Sequence, residues 1–393
     1  MIETITPGST LAARLRERIK SNGPIPFHEW MKAALYDSQD GYYCRNVRKQ
    51  WGREGDYRTS PERSRMFAAT FARYFAGLYE GLGCPARWTI MELGAGDGHF
   101  ARGLLETLQR FFPDCFAATS YVIDEVSSRS RARALELLEG AGEGAGAPWF
   151  GERLAFASVN DTEIETGIVF SNELLDAFPV HRLIWQAGGL REFWVDVGAA
   201  ENFKWVLRDP RSELATRFNS YFQDHALQLS EGQIAEVNFA VEDYLGLVAE
   251  KLLKGYLITV DYGASAADLH SAAERGNGTL RGFQRHEFVT DFLASPGEHD
   301  LTTTVNWSQV TKVGARLGLE VLEFERQDTF LLAAGFLDQL ALELGRCEDE
   351  GQRLRLTTDA REMILPDGMA ARFQVLVQRK TSRLAAPNGV ADK

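Results

Sequence analysis

The feature that most constrains this chain is a glycine loop set between an apolar run and a helical one. Trp88–Glu92 (WTIME) is short and apolar, and Glu92-Leu93-Gly94-Ala95-Gly96-Asp97-Gly98 continues from it without a break. From His99 onward, notably over Phe100–Phe111, apolar residues recur at helical spacing. Glycines let the backbone turn sharply and let a ligand approach it closely. The amides that open the following helix then face an anion such as a carboxylate or phosphate. On the loop alone, a purely structural turn stays open as an alternative.

The alternation continues beyond the loop. Tyr121–Asp124 (YVID), Leu154–Ala157 (LAFA) and Ile168–Phe170 (IVF) are further short apolar runs, with helical periodicity between them, as in Arg129–Leu138. Tyr256–Val260, Val321–Phe324 and Phe373–Val377 follow later. Strand and helix in alternation predict an α/β fold around a mostly parallel sheet with right-handed crossovers. The final run is a candidate for antiparallel closure.

Two regions exceed such a sheet. Residues 1–85 read as a helical region, rich in Trp, Tyr and Phe, packing on the core. Residues 181–253 read as a substrate-side insertion between core strands 4 and 5, opening around a Gly-Gly turn in LIWQAGGLREFWV. The core is then 86–180 and 254–381. The polar tail 382–393 is expected to be disordered, and Gly140–Pro148 (GAGEGAGAP) to be a flexible surface loop.

Composition narrows the function. Forty-three Lys and Arg against 55 Asp and Glu give a formal net charge of −12. Such a chain repels phosphate backbones and anionic lipid, so no nucleic-acid partner is expected. No apolar run approaches bilayer length, so no membrane insertion is expected either. Cys44, Cys84, Cys115 and Cys347 form no CxxC pair, which fits a reducing compartment and argues against a cysteine zinc site. His181, His286 and His299 show no metal spacing, and no metal is expected. No secretory apolar segment follows Met1, and the basic Leu11–Ser21 reads as an ordinary amphipathic helix rather than a transit segment. A cytoplasmic location follows if the source is bacterial.

Several side chains stand where chemistry is expected. The spacing Gly94-x-Gly96-x-Gly98 puts His99 at the place of the third glycine of a dinucleotide fingerprint, which disfavours a nicotinamide enzyme. Asp124 and Glu125 end the second strand, where an acid meets ribose hydroxyls, and Glu125 is favoured. Asn160 and Asp161 follow the third strand and are positioned to meet an adenine amino group. Asn172, Glu173 and Asp176 follow the fourth. Glu173 and Asp176 are three apart, so a helical turn puts them on one face, where two carboxylates suit a guanidinium or amine. Asp261-Tyr262-Gly263 is either a pocket wall or a strand-ending turn. Trp30, Tyr36, Tyr42 and Tyr43 read as packing rather than a methyl-lysine cage.

The acid before GxGxG resembles motif I of class I S-adenosylmethionine (SAM) methyltransferases. Further segments resemble one family. GDYRTSPE (Gly55–Glu62) is similar to its GDF-x-TSPE signature, ELGAGDG (Glu92–Gly98) to ELGPGRG, and NELLDAFPVH (Asn172–His181) to NEFFDALPVH. DYG (Asp261–Gly263), TLRGFQRH (Thr279–His286), DLTTTVNW (Asp300–Trp307) and GMAARFQVLV (Gly368–Val377) also have counterparts. On these segments the chain is identified as a member of the MidA family, which includes the complex I assembly factor 7 type of protein arginine methyltransferase.

The resemblance implies a class I methyltransferase, Rossmann-like, seven-stranded sheet, with SAM as cofactor and an arginine of a protein substrate as acceptor. By matching position it implies cofactor contacts from Gly94, Gly96, Gly98 and Glu125, with the TSPE segment and the Asn172-Glu173-x-x-Asp176 motif lining the site. Glu92, Asp97, Asn160, Asp161, Asn172, Thr59 and Ser60 are the further candidates for cofactor contact. Glu173, helped by Asp176, is the candidate catalytic carboxylate toward a guanidinium, and Asp56 in the first signature is a second candidate. Ala95 stands for the family proline, Asp97 for its arginine and Leu174-Leu175 for its aromatic pair, while Arg58 sits inside the first signature. These departures leave open a small-molecule acceptor, and a non-catalytic SAM-binding assembly factor is the other alternative.

Overall fold

The computed structural model describes residues 10–45, 64–139, 153–284, 287–365 and 368–381. Asp56, Thr59, Ser60, His286, the loop 140–148 and the tail 382–393 lie outside the described residues.

Seven strands build the central sheet: β1 (Trp88–Leu93), β2 (Thr119–Asp124), β3 (Leu154–Phe156), β4 (Gly167–Asn172), β9 (Gly255–Asp261), β10 (Leu319–Arg326) and β11 (Gln374–Lys380). Their order is β10-β11-β9-β4-β1-β2-β3. β9, β4, β1, β2 and β3 are mutually parallel, and β11 runs antiparallel to both β9 and β10. The order reverses between β1 and β4, and ligands of open α/β sheets sit at that crevice. The register aligns the strand ends there: Leu93 pairs with Asp124 and with Ser171, and Asn172 with Val260.

The inner strands β4 and β9 are buried on both faces, which is why they read as continuous apolar runs rather than alternating ones. One face is covered by α3 (Arg65–Gly81) and α4 (His99–Phe111). Phe67, Phe71 and Phe75 recur every four residues along α3 and meet Phe100 and Phe170, whose rings stack at 4.2 Å. Each such ring contributes about 1.5–3 kcal/mol of transfer free energy. The other face is covered by α7 (Ala240–Lys251) and α8 (Trp307–Arg316), through Val241, Leu245 and Val310.

A second sheet lies between β4 and β9 in the chain. It holds β5 (His181–Gln186), β6 (Gly189–Val197), β7 (Phe203–Arg208) and β8 (Ile234–Val237), with α6 (Ser212–Asp224) beside it, and Ile25–Pro26 pairs with β6. The hairpin turn is Ala187-Gly188, at φ of 52° and 75°, and Gly189 already pairs with Gln186. Two left-handed residues suit a two-residue hairpin.

The partition differs from the one read along the sequence. The segment 1–85 is not one unit. α1 (Leu11–Asn22) and α2 (Phe27–Tyr36) bury Leu11, Leu15, Phe27 and Trp30 against Val195 and Phe203 of the second sheet, while α3 belongs to the central core. Leu280, Leu293 and Leu301 join the α1–α2 cluster as well, so part of 254–381 serves the second sheet. Conversely α7, read as part of the insertion 181–253, packs on the central sheet and leads directly into β9. Pattern alone shows that a face must be buried, not which surface buries it. Among the described residues no helix is long and apolar enough to cross a membrane.

Candidate active site

The glycine loop is built as its composition demands. Gly94, Gly96 and Gly98 have φ of 69°, 55° and 82°, a region other residues enter only with strain. Gly94 N–H donates to the Asp124 carbonyl (2.8 Å), tying the loop to β2. Gly98 caps α4, and a Cβ there would lie 2.9 Å from the Ala134 Cβ of α5 (Ser128–Glu139). A Cβ on Gly94 would lie 3.0 Å from Leu174 Cδ1.

Glu125 closes one side. Its Oε2 accepts from Gly96 N–H (2.9 Å) and its Oε1 from Ser127 N–H (2.8 Å). Burial pushes this carboxyl up, and the two amides pull it back. Asp124 turns away, its Oδ2 accepting from Val159 N–H (2.8 Å). Glu125 is thus the acid of the pair that lines the cleft with Gly94 and Gly96.

The facing side is the end of β4. Glu173 stands there at φ 52°, a left-handed backbone that costs a side-chain-bearing residue about 1–2 kcal/mol. Its N–H donates to the Val260 carbonyl (2.9 Å), and its Oε1 accepts from Asn172 Nδ2 (3.1 Å). Strained residues of this kind cluster at functional sites. Glu173 lines the same cleft, as do Tyr36 and Tyr43 from the N-terminal segment. Tyr36 OH donates to the Ala177 carbonyl (3.0 Å) and Tyr43 OH to Asp300 Oδ1 (2.8 Å).

Other expected residues stand elsewhere. Asp176 does not share a face with Glu173, because the chain after Glu173 makes a 3-10 turn, Leu175–Ala177. Asp176 is 8% exposed, and its Oδ2 accepts from Thr302 Oγ1 (2.6 Å) and from Tyr262 OH. Asp261, fully buried, holds the same turn: Oδ2 accepts from Leu175 N–H (2.9 Å) and Asp176 N–H (3.3 Å), and Oδ1 from Tyr262 N–H (2.8 Å). Burial and the charges of Asp176 and Glu173 push Asp261 well above the usual carboxylate range. Asp176 and Asp261 therefore anchor the turn that presents Glu173. Asp97 pairs with Arg133 of α5 (3.1 Å) outside the cleft lining. Asn160 and Asp161 are exposed and off that lining, with Asn160 Nδ2 donating to Ser158 Oγ (3.1 Å). Glu92 is buried beneath the loop, where it accepts from Tyr121 OH (2.7 Å).

Trp30 and Tyr42 pack as expected, each fully or nearly fully buried. Tyr36, at the end of α2, and Tyr43, in the segment after it, pack against the same cluster and also line the cleft. No spacing within the sequence joins residue 36 to residue 177. His181 Nδ1 lies 2.8 Å from Glu192 Oε1, with the ring stacked on His28 at 4.7 Å, a structural contact between α2 and β5.

Residues 70–325 match a family described as "Putative S-adenosyl-L-methionine-dependent methyltransferase". The chain belongs to this family. A protein of Burkholderia thailandensis crystallised with S-adenosyl-homocysteine superposes with a TM-score of 0.81 at 30% identity, covering 94% of this chain and 92% of that one. Among curated proteins, the Drosophila melanogaster "Protein arginine methyltransferase NDUFAF7 homolog, mitochondrial" is 29% identical over 79% of this chain and 71% of its own length. The human "Protein arginine methyltransferase NDUFAF7, mitochondrial" is 26% identical over 96% of this chain and 85% of its own.

The site fits SAM on its own terms. The loop leaves the backbone bare where a Cβ would collide, and Glu125 faces the opening. Asn172 Oδ1, next to Glu173 in the chain, is buried with no partner among the described residues. Glu125 and Glu173 complement a cationic sulfonium. Gly94, Gly96 and Glu125, which line the cleft, would hold the cofactor.

Proposed function

We propose that this chain transfers the methyl group of SAM to an arginine side chain of a protein substrate. The observation that carries this reading is Glu173, a carboxylate held at a strained strand end in the cleft that the glycine loop also lines. The arginine methyltransferase names of the curated relatives support the acceptor. When bound, SAM supplies a methyl carbon already activated by its sulfonium.

The chain's own residues must handle the acceptor. A guanidinium is protonated up to a pKa above about 12, and its lone pairs are delocalised. Glu173 accepts its N–H groups, draws the positive charge toward the nitrogens it touches, and orients the remaining nitrogen toward the methyl carbon. Asn172 Nδ2 fixes Glu173 while it does so. Leu174 and Ala177 keep that side of the cleft apolar, which limits water. The proton released on transfer passes to Glu173 and then to solvent. Asp176 takes no part in this, because it is buried outside the cleft lining with its Oδ2 held by Thr302 and Tyr262.

The test uses methyl-labelled SAM and a set of arginine-containing peptides, followed by acid hydrolysis. Label in methylarginine supports the acceptor, and label confined to lysine, carboxyl groups or small molecules refutes it. Glu173→Gln should lower kcat by about 100-fold or more, with SAM affinity within about twofold. Equal loss of both would remove Glu173 from its role toward the acceptor. With a bacterial source the same reading puts the protein in the cytoplasm, which fractionation of the source cells checks.

A further inference from the structure

We infer that Tyr36 and Tyr43 form an aromatic wall that receives the acceptor's planar guanidinium and selects it over an alkylammonium. The assignment rests on arginine being the acceptor.

Four observations carry it. Both rings line the cleft that holds Gly94, Glu125 and Glu173, and the lining is mostly apolar despite its two carboxylates. The rings stand 5.5 Å apart, inclined at 32°, so they form one wall rather than two separate contacts. Tyr42, 1% exposed, supports Tyr43 edge-on at 5.2 Å. Both hydroxyls are engaged, at Ala177 and at Asp300, so ring carbon is what each tyrosine offers the cleft. The bond to Ala177 fixes the Tyr36 ring on the same turn that presents Glu173.

The surrounding charge asks for a cation. Asp176, Asp300 and Glu125 all lie near enough to the Tyr36 hydroxyl to disfavour its ionisation, after burial as the first cause. The neighbouring arginines are held by other rings. Arg45 lies over Tyr42 at 5.8 Å and pairs with Glu298, and Arg281 lies over Tyr262 at 4.9 Å. A guanidinium is flat and weakly hydrated, so it stacks on a ring and bonds a carboxylate in its own plane at once. An ammonium is compact and strongly hydrated, and gains less from such a wall.

The experiment titrates N-acetyl-arginine amide and N-acetyl-lysine amide into the protein saturated with S-adenosyl-homocysteine, followed by ligand-observed NMR. Wild type should bind the arginine probe several-fold more tightly than the lysine probe. Tyr36→Leu and Tyr43→Leu should each weaken the arginine probe by about 3- to 30-fold, the range of one cation–π contact. The lysine probe and S-adenosyl-homocysteine should bind as before. Tyr36→Phe keeps the ring, loses the bond to Ala177, and should stay within about twofold of wild type. It keeps the test decisive where a leucine variant fails to fold.

Unchanged arginine binding in both leucine variants overturns the wall. So does a loss in Tyr36→Phe as large as in Tyr36→Leu, which would assign the effect to the hydroxyl. A selective fall in affinity for SAM relative to S-adenosyl-homocysteine, with arginine binding intact, gives the rings to the sulfonium instead and also overturns it. If wild type binds neither probe or prefers lysine, the arginine reading itself fails along with the wall. If wild type prefers arginine and only the variants disappoint, that reading stands.

Discussion

Glu92→Gln isolates one ionisation in the middle of the sheet. Glu92 sits on β1, 4% exposed, and its Oε2 accepts from Tyr121 OH (2.7 Å). That bond favours the charged carboxylate. Burial opposes it, and the nearby charge of Glu125 adds to burial, so the group is pushed up to about 8 from 4.5. Between those two values the folded chain holds a proton that the unfolded chain has released. The stability tied to that proton is complete below about pH 4.5 and is lost as pH rises toward 8. One proton corresponds to about 1.4 kcal/mol per pH unit. Roughly three and a half units give an upper bound of ~5 kcal/mol, and relaxation around the charged form reduces this to a few kcal/mol. Gln copies the shape of the protonated acid, still accepts from Tyr121, and does not titrate. Urea unfolding of both proteins should therefore agree within about 1 kcal/mol near pH 5. The variant should become the more stable by about 2–4 kcal/mol at pH 8.5. Other titrating groups are common to both proteins and cancel in the difference. A gap that does not change between pH 5 and 8.5, or a variant weaker than wild type at pH 8.5, refutes the reasoning.

Substitutions at three further positions probe the loop and its supports. Gly98→Ala puts a Cβ 2.9 Å from the Ala134 Cβ at φ 82°, and should cost about 1–3 kcal/mol in urea unfolding, so wild-type stability would contradict this close packing. Glu125→Ala leaves the amides of Gly96 and Ser127 without their acceptor and should weaken SAM at least about tenfold by calorimetry, whereas unchanged affinity would remove Glu125 from the cofactor site. Asp261→Ala strips three N–H groups, two of them in buried bonds, of their acceptor and should destabilise by about 3 kcal/mol or more. Asp261→Asn, which keeps one oxygen, should lose less, and equal losses would show that the bonds are not the cause.

The central sheet is legible in the sequence because its strands are short apolar runs separated by helix-length periods, and burial on both faces leaves such runs no other home. The glycine loop is legible for a steric reason: three left-handed residues within five positions admit little else. Glu125 and Glu173 can be placed because strand ends at the switch point converge whatever the side chains are. What fails is everything that depends on the path after a strand. Helical spacing puts Asp176 beside Glu173, but Glu173 leaves β4 in a left-handed conformation and a 3-10 turn follows, which rotates Asp176 into the core. The loop position of Asp97 suggests a ligand contact, and Arg133, one turn into a different helix, holds it instead. Tyr36 and Tyr43 reach the cleft only because the second sheet gives α1 and α2 a surface to cover. No local pattern encodes a contact between residues about 140 positions apart.

The position of β11 has a consequence for how the chain is made. Gln374–Lys380 is the last of the seven strands of this sheet to be synthesised, yet it lies between β9 and β10. When β9 leaves the ribosome, it can pair with β4, but its other edge has no neighbour until more than about a hundred further residues have been added. At ordinary elongation rates of about 5–20 residues per second, that edge waits roughly 5–20 seconds. β10 is made in that interval and must not take the vacant place. It would fit there in the parallel sense, since it runs in the same direction as β9. Three glutamates along it, Glu320, Glu323 and Glu325, make it a poor occupant of a buried slot, where β11 is buried over most of its length. The charges on an outer strand thus keep a seat vacant for one that has not yet been translated.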